Sequence, residues 1–175
     1  MSTWALDQLQ QQLPDTIAQR YHDRTGAEWA VVSREGIVRV AMALKEKLGF
    51  KMFISMDCVD RLQLPESSPR FEVLYFFFNV ERNEHARLKV LVPEEDCSLP
   101  TIRFVYQGAN WGERLCWDFY GINFVGHGDL RRLFLYEEFK GHPLRKDYAL
   151  RDRQPLIPER PIKDIFRGPG TSGVA

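Results

Sequence analysis

Phe71-Glu72-Val73-Leu74-Tyr75-Phe76-Phe77-Phe78-Asn79-Val80 is the stretch that decides the fold. It is apolar at nearly every position, as a central β-strand covered on both faces needs to be. Glu81 to His85 then supplies a turn into a second strand, Arg87 to Val92, so a β-hairpin is the simplest reading. Upstream, Lys51 to Val59 has strand character, and Gln63 to Arg70, with Pro65, Ser67, Ser68 and Pro69, reads as a polar loop. Earlier still, Glu28 to Ser33 is β-prone around Trp29, Val31 and Val32. Ile37, Val40, Ala41, Leu44 and Leu48 follow on one face of a helix that Gly49 terminates. At the N-terminal end Leu6, Leu9, Leu13, Ile17 and Tyr21 recur at helical spacing. Pro14-Asp15 divides them into a short lead-in and a second helix beginning near that proline.

Downstream of the hairpin, Glu94 to Asp96 and Pro100 make a connection, and Thr101 to Gln107 alternates. Ile102, Phe104 and Tyr106 lie on one side, with Arg103, Val105 and Gln107 on the other, which predicts a last strand. Asn110 followed three residues on by Glu113 has the form of a capping box. Trp111, Leu115, Phe119 (or Asp118) and Ile122 then mark a helix over about Trp111 to Tyr120, closed by Gly121. Beyond Phe124 glycine and proline punctuate the chain and periodic hydrophobicity is confined to Leu130 to Phe139. The expected class is α+β: a small mixed, largely antiparallel sheet with helices packed on it, followed by an extended C-terminal arm. Residues 1–125 form the body and 126–175 the arm.

At 175 residues and 44% hydrophobic the chain is one ordinary domain, able to bury about 70% of its unfolded surface, and disorder is excluded as its main state. Lys and Arg number 24, as do Asp and Glu, so no global field marks a nucleic-acid binder. The charge is nevertheless divided. From Lys140 to Arg167 eight cations accompany four anions, which places +4 on that segment and −4 on the remainder. An extended basic segment has too few self-contacts to offset its ordering entropy and wants a partner surface. Cys58, Cys97 and Cys116 are widely spaced, odd in number and without a C-x-x-C, which favours a reducing compartment over a disulfide or metal framework. The N-terminal stretch, with Asp7 and a run of Gln, lacks the basic start and apolar core of a signal peptide. The longest apolar run, Val73 to Phe78, falls far short of the roughly 20 residues of a spanning helix.

No phosphate-binding, dinucleotide, zinc-protease or nucleophile-elbow motif is present. His127 and His142 each follow a glycine and precede a basic pair. No cluster of Cys or carboxylates completes a ligand set around them, so the favoured reading is imidazole bonded to backbone at a glycine turn. Trp117, Asp118, Phe119 and Tyr120 read as core rather than as a site. Arg131, Arg132, Arg145 and Lys146 could grip phosphate. The acids among them, Asp129, Asp147 and Asp152, favour carboxylates of a protein partner instead.

Four strings carry more than composition can. Glu113-Arg114, Trp117-Asp118-Phe119-Tyr120-Gly121-Ile122-Asn123-Phe124, Gly126-His127-Gly128-Asp129-Leu130-Arg131-Arg132 and Gly141-His142-Pro143-Leu144-Arg145-Lys146-Asp147-Tyr148 together resemble the signature of the C-type, or 30 kDa, subunit family of the proton-pumping NADH:quinone oxidoreductase, respiratory complex I. Arg70-Phe71-Glu72-Val73, Tyr75, Arg87 to Val92, Pro100 and Ala109-Asn110-Trp111 extend the likeness more loosely, so that it covers roughly Trp29 to Leu150. Gly128 stands where the family usually has proline, and Leu115 where it usually has an acid.

The resemblance implies a non-catalytic core subunit of the peripheral arm, on the cytoplasmic side of the inner (plasma) membrane. FMN, iron-sulfur clusters and quinone would be bound by partners and none by this chain. It implies docking beside the D-type subunit, at the quinone site, and near the B-type subunit, which bears the terminal iron-sulfur cluster. The C-terminal segment would be strapped over the quinone-site partner. Asp129, Arg131, Arg132, Arg145, Lys146, Asp147 and Tyr148, with His127 and His142, would order the strap and interface. Glu113, Arg114 and Asp118 would brace the helix beneath. The equivalent subunits of membrane-bound hydrogenases and of ferredoxin-dependent photosynthetic complexes are the alternative.

Overall fold

The decisive stretch forms β4 (Phe71–Asn79), in which residues alternate strictly between buried and half-buried. It pairs antiparallel with β5 (Glu84–Val92), Phe71 opposite Val92 and Asn79 opposite Glu84, so the predicted hairpin is present. The computed structural model describes residues 4–64, 69–151 and 153–154. Pro65, Ser67 and Ser68 of the polar loop, Asp152, and the end of the expected arm from Pro155 onwards lie outside them.

Around the hairpin the chain adds α1 (Trp4–Gln12), β1 (Ile17–His22), β2 (Glu28–Val32), α2 (Ile37–Glu46) and β3 (Met52–Asp60) before it. After it come β6 (Ser98–Pro100), α3 (Ala109–Tyr120) and β7 (Asn123–Val125). The main sheet runs β1-β2-β5-β4-β3, and β6 and β7 form a separate two-stranded sheet. Only β2 with β5 and β6 with β7 are parallel; the other pairs are antiparallel. The α+β class, with a largely antiparallel sheet and helices packed on it, is as expected.

Both edges of β4 are paired, by β3 and β5, but among the described residues only one of its faces is covered. Phe71, Val73, Tyr75 and Phe77 are fully buried in one core with Ala86, Leu88, Val90 and Val92 of β5, Ala30 and Val32 of β2, Leu6 and Leu9 of α1, Ile37, Val40 and Leu44 of α2, and Ala109 and Cys116 of α3. All three helices therefore contribute to the same face. Glu72, Leu74, Phe76 and Phe78 point the other way and stay half-buried, which corrects the expectation of a strand covered on both sides. The three cysteines are free thiols, and burial raises the pKa of each.

Three local predictions differ from the fold. The helix expected after Pro14 is strand β1, hydrogen-bonded to β2 in the register Arg20 to Ala30 and Tyr21 to Trp29. The spacing of Leu13, Ile17 and Tyr21 suits a helix, but pairing with a β-rich neighbour overrides it. Thr101 to Gln107 is a turn, not a strand: the Val105 and Tyr106 N–H groups both donate to the Ile102 carbonyl. Ile102, Val105 and Tyr106 turn inward while Phe104 is 79% exposed. The capping box does not form either. Gly108 occupies the N-cap of α3 with no side-chain cap, and the Glu113 carboxylate is engaged elsewhere. The C-terminal end matches: Gly121 takes φ +76° and donates its N–H to the Trp117 carbonyl.

Candidate functional site

The residues of the four strings meet along the last turns of α3 and the end of β3, where residues 126–154 run back over the body. Asp118 is the centre of this latch. Its carboxylate is fully buried, and Oδ2 accepts the N–H groups of Leu133, Phe134 and Leu135 at 3.0, 2.8 and 3.0 Å. Arg132 Nη1 donates to its Oδ1 at 2.8 Å. Burial pushes the Asp118 carboxyl up, but the three backbone donors and the guanidinium outweigh it and hold the group below the usual carboxylate range. Arg132 also donates to the Phe139 carbonyl and lies over the ring of Trp117, while Phe119 stacks on Phe134. Trp117 and Phe119 thus pack against the arm instead of lying within the core as the sequence suggested. Trp111, expected on the buried stripe of α3, is exposed, and the buried positions include Glu113, Arg114 and Asp118.

The second contact depends on a missing side chain. A Cβ on Gly121 would come within 2.6 Å of the His142 ring and 2.8 Å of an Arg145 nitrogen, so glycine lets the arm approach the helix end. There His142 Nδ1 bonds the Asp118 carbonyl at 3.0 Å, and Arg145 Nε donates to the Tyr120 carbonyl at 2.6 Å, its guanidinium above the Phe71 ring. His127 Nδ1 accepts the Asp129 N–H at 3.2 Å. Both imidazoles bond backbone beside a glycine turn, as predicted. Gly128, between His127 and Asp129, sits at φ +80°, a backbone angle that a proline ring forbids.

The third contact was not anticipated. Arg70, 5% exposed, donates to both oxygens of Asp60 at 3.1 and 2.8 Å and to both of Asp147 at 3.1 and 2.7 Å. The bonds to Asp60 and then Asp147 raise its pKa further above the ordinary arginine range. Asp60 also accepts the Lys146 N–H at 2.8 Å. Asp60 and Arg70 flank a loop in sequence, and neither carries a motif that would reveal the pairing; Arg70 was visible only as part of the looser likeness.

Beneath the latch Glu113 is wholly buried. It accepts the Thr101 hydroxyl and the Ile102 N–H, and its Oε2 lies 3.8 Å from His127 Nε2. Burial lifts its carboxyl to about 7 against the lowering effect of those bonds. Arg114, also buried, donates to the carbonyls of Arg131 and Arg132 at 3.1 and 2.8 Å and so ties α3 to the start of the arm. Of the remaining residues expected at an interface, Asp129, Arg131, Lys146 and Asp147 are exposed; Arg132, His142, Arg145 and Tyr148 are half-buried. Arg131 pairs with Asp129 at 3.0 Å, and the Tyr148 hydroxyl accepts from Gln154 at 2.6 Å. Among the described residues no group of three or more His, Cys, Asp or Glu could hold a metal ion, and no helix is long and apolar enough to cross a membrane.

A clamped α+β body of this kind, with these strings at its latch, defines a class that comparison with known proteins identifies. The family model described as respiratory-chain NADH dehydrogenase, 30 Kd subunit, matches residues 30–154, and the chain belongs to that family. It is 40% identical over 132 residues to the C subunit of the NADH-quinone oxidoreductase of Geobacter sulfurreducens, covering 74% of this chain and 80% of the relative. It is 33% identical over 145 residues to a C/D subunit of the NADH-quinone oxidoreductase of Aquifex aeolicus, covering 83% of this chain and 24% of that much longer protein. Among solved structures it is similar to the trypsin-resistant fragment of Nqo5, with a TM-score of 0.62, 29% identity and coverage of 72% of this chain and 99% of that one. A chain of the membrane-bound sulfane sulfur reductase, an archaeal respiratory membrane complex, shares the fold at a TM-score of 0.66 and 21% identity, covering 90% and 96%.

Proposed function

We propose that this chain is a non-catalytic core subunit of the peripheral arm of NADH:quinone oxidoreductase, securing the module around the quinone site. The complex passes electrons from NADH through FMN and iron-sulfur centres to quinone and couples this to proton translocation; those groups belong to partner subunits. Residues 126–175 act as a strap on the D-type, quinone-site subunit, and the B-type partner with the terminal iron-sulfur cluster lies adjacent. The assembly sits on the cytoplasmic side of the inner membrane. The observation that carries the reading is the Aquifex aeolicus relative whose name joins C and D in one polypeptide. Covalent union of two modules is tolerated only where their linked ends lie within reach of each other. The fold likeness to a sulfane sulfur reductase chain favours a second reading, the equivalent subunit of a related membrane-bound hydrogenase or ferredoxin-dependent complex.

A mild-detergent pull-down of the tagged chain from native membranes, with an NADH-to-quinone reductase assay on the eluate, separates the two. Flavin and iron-sulfur subunits with NADH activity are the expected result. Hydrogenase or ferredoxin-docking subunits without that activity would favour the second reading, and a solitary chain would overturn both. In the same assay Arg145→Ala, which removes the donor to the Tyr120 carbonyl, lowers the yield of assembled complex more than it lowers the melting temperature of the purified chain.

A further inference from the structure

The face of the main sheet opposite the helices has the composition of an interface and, among the described residues, no element packed on it. Its rows follow from the register. Leu74, Phe76 and Phe78 on β4 stand opposite Lys89, Arg87 and His85 on β5, and Trp29 of β2 lies one step beyond the Ala30–Leu88 pair, beside Arg87. The Trp29 and Phe76 rings meet edge to face at 5.4 Å across β5. A solvated antiparallel face ordinarily alternates to polar residues. Here the outward positions of β4 are three-quarters apolar, the feature that made the sequence read as covered on both sides.

The cations on and around this face differ in one respect. Lys89 pairs with Glu72 at 2.9 Å, Arg61 with Glu72 at 3.3 Å, Arg82 with Glu84 at 3.5 Å and Lys51 with Glu81 at 3.5 Å. The guanidinium of Arg87, half-buried between Phe76 and Trp29, has no hydrogen bond or ion pair among the described residues. It also lines an open cleft of about 830 Å³ that reaches Trp4 and His85 at the same end of the sheet. Covering an unpaired guanidinium with an apolar surface costs several kcal/mol, so whatever docks here must bring a carboxylate. Aromatic side chains around an arginine are also the residues that dominate binding energy in protein interfaces.

We infer that this outer sheet face is a second docking surface, for a segment of a neighbouring subunit that lays apolar side chains on Trp29 and Phe76 and sets an aspartate or glutamate against Arg87. The inference rests on the assembly reading above, but it uses a face of the chain other than the arm. The complementarity is specific: an apolar contact excludes water from the fork, and the fork selects for a carboxylate in a fixed orientation.

The test is site-specific photo-cross-linking in native membranes, with p-benzoylphenylalanine at position 76, at position 31 on the same face, and at position 150 of the arm, where Leu150 is 98% exposed. The expected result is an adduct from position 76 or 31 to a peptide of another subunit that carries Asp or Glu. Arg87→Glu should lower its yield about tenfold, the scale of one lost charge-assisted contact, and leave the melting temperature of the purified chain unchanged. Reversing the partner's carboxylate should restore it. Subunit adducts from position 150 but none from 76 or 31 would overturn this inference and leave the assembly reading standing; none from any position would remove both. Adducts to RNA or to a second copy of the chain would also overturn it.

Discussion

The β4-β5 hairpin and the segment from Gly126 to Gln154 are both held against the same core, by opposite means. The hairpin contributes Phe71, Val73, Tyr75, Phe77, Leu88, Val90 and Val92, each fully buried, and its strands are bonded in continuous register. The arm has no helix or strand beyond β7 among its described residues and is fixed at separate points: Asp118 on three backbone N–H groups, Arg145 on a carbonyl, Asp147 on Arg70. Apolar burial is distributed and non-directional, so the hairpin can lose one contact and keep its place. A polar latch depends on geometry, and each point left unpaired costs the full desolvation of its group. The body is therefore expected to fail as a whole, and the arm locally.

The largest loss is expected from a charge in the middle of β4. Phe77 is fully buried and its ring packs on Phe53, Tyr106 and Tyr75 at centroid distances of 5.5, 5.0 and 6.4 Å. Phe77→Asp should cost more than about 4 kcal/mol and abolish cooperative unfolding, followed by near-UV circular dichroism and thermal melting. An unchanged melt would mean that the strand is not in the core.

A smaller and local loss should follow from Asp118→Ala. It leaves the N–H groups of Leu133, Phe134 and Leu135 without their acceptor and Arg132 without its carboxylate partner. A penalty of about 3 kcal/mol confined to the arm corresponds to roughly hundredfold faster amide exchange there. Hydrogen exchange should accelerate over 130–148 and stay as in the native chain over β4 and β5. If protection fell equally in both regions, the arm and body would be one cooperative unit and the contrast between them would fail.

The same difference decides what could be read from the amino acids. The hairpin, β2, α2 and the end of α3 were legible because burial imposes a period on the chain and Gly49 and Gly121 mark where it stops. Periodicity also misled where two structures share it. Ile17 and Tyr21 sit four apart in a strand, and Ile102, Phe104 and Tyr106 alternate through a turn in which Phe104 is exposed and Val105 is buried instead. At the latch His142 was legible as an imidazole bonded to backbone at a glycine turn, whereas Asp118 read as core and Arg132 and Arg145 as cations for a partner's carboxylates, with no sign that each would instead bind within the chain. The pairing of Arg70 with Asp60 and Asp147 was not visible at all. It joins residues 10 and 77 apart, and an ion pair leaves no pattern between its ends.

Charge offers the finest way to separate the two regions, because carboxylates in them respond to pH with opposite sign. At the latch Asp118, Asp60 and Asp147 are held below their ordinary range, so their contribution is present at neutral pH and lost as the solution is acidified through their lowered values. Glu113, in the body, is lifted to about 7 by burial. Its native value exceeds its unfolded one, so its contribution is complete below the ordinary glutamate range and is lost as pH rises through 7, when the buried group must ionise. Glu113→Gln keeps a neutral acceptor for the Ile102 N–H and a donor for the Thr101 hydroxyl, and removes the titration. Its melting temperature should match that of the native chain near pH 5 and exceed it by a few degrees at pH 8, flattening the curve between. Parallel curves for the two proteins would show that Glu113 is already ionised in the fold, and the burial that separates body from latch would then have no electrostatic consequence.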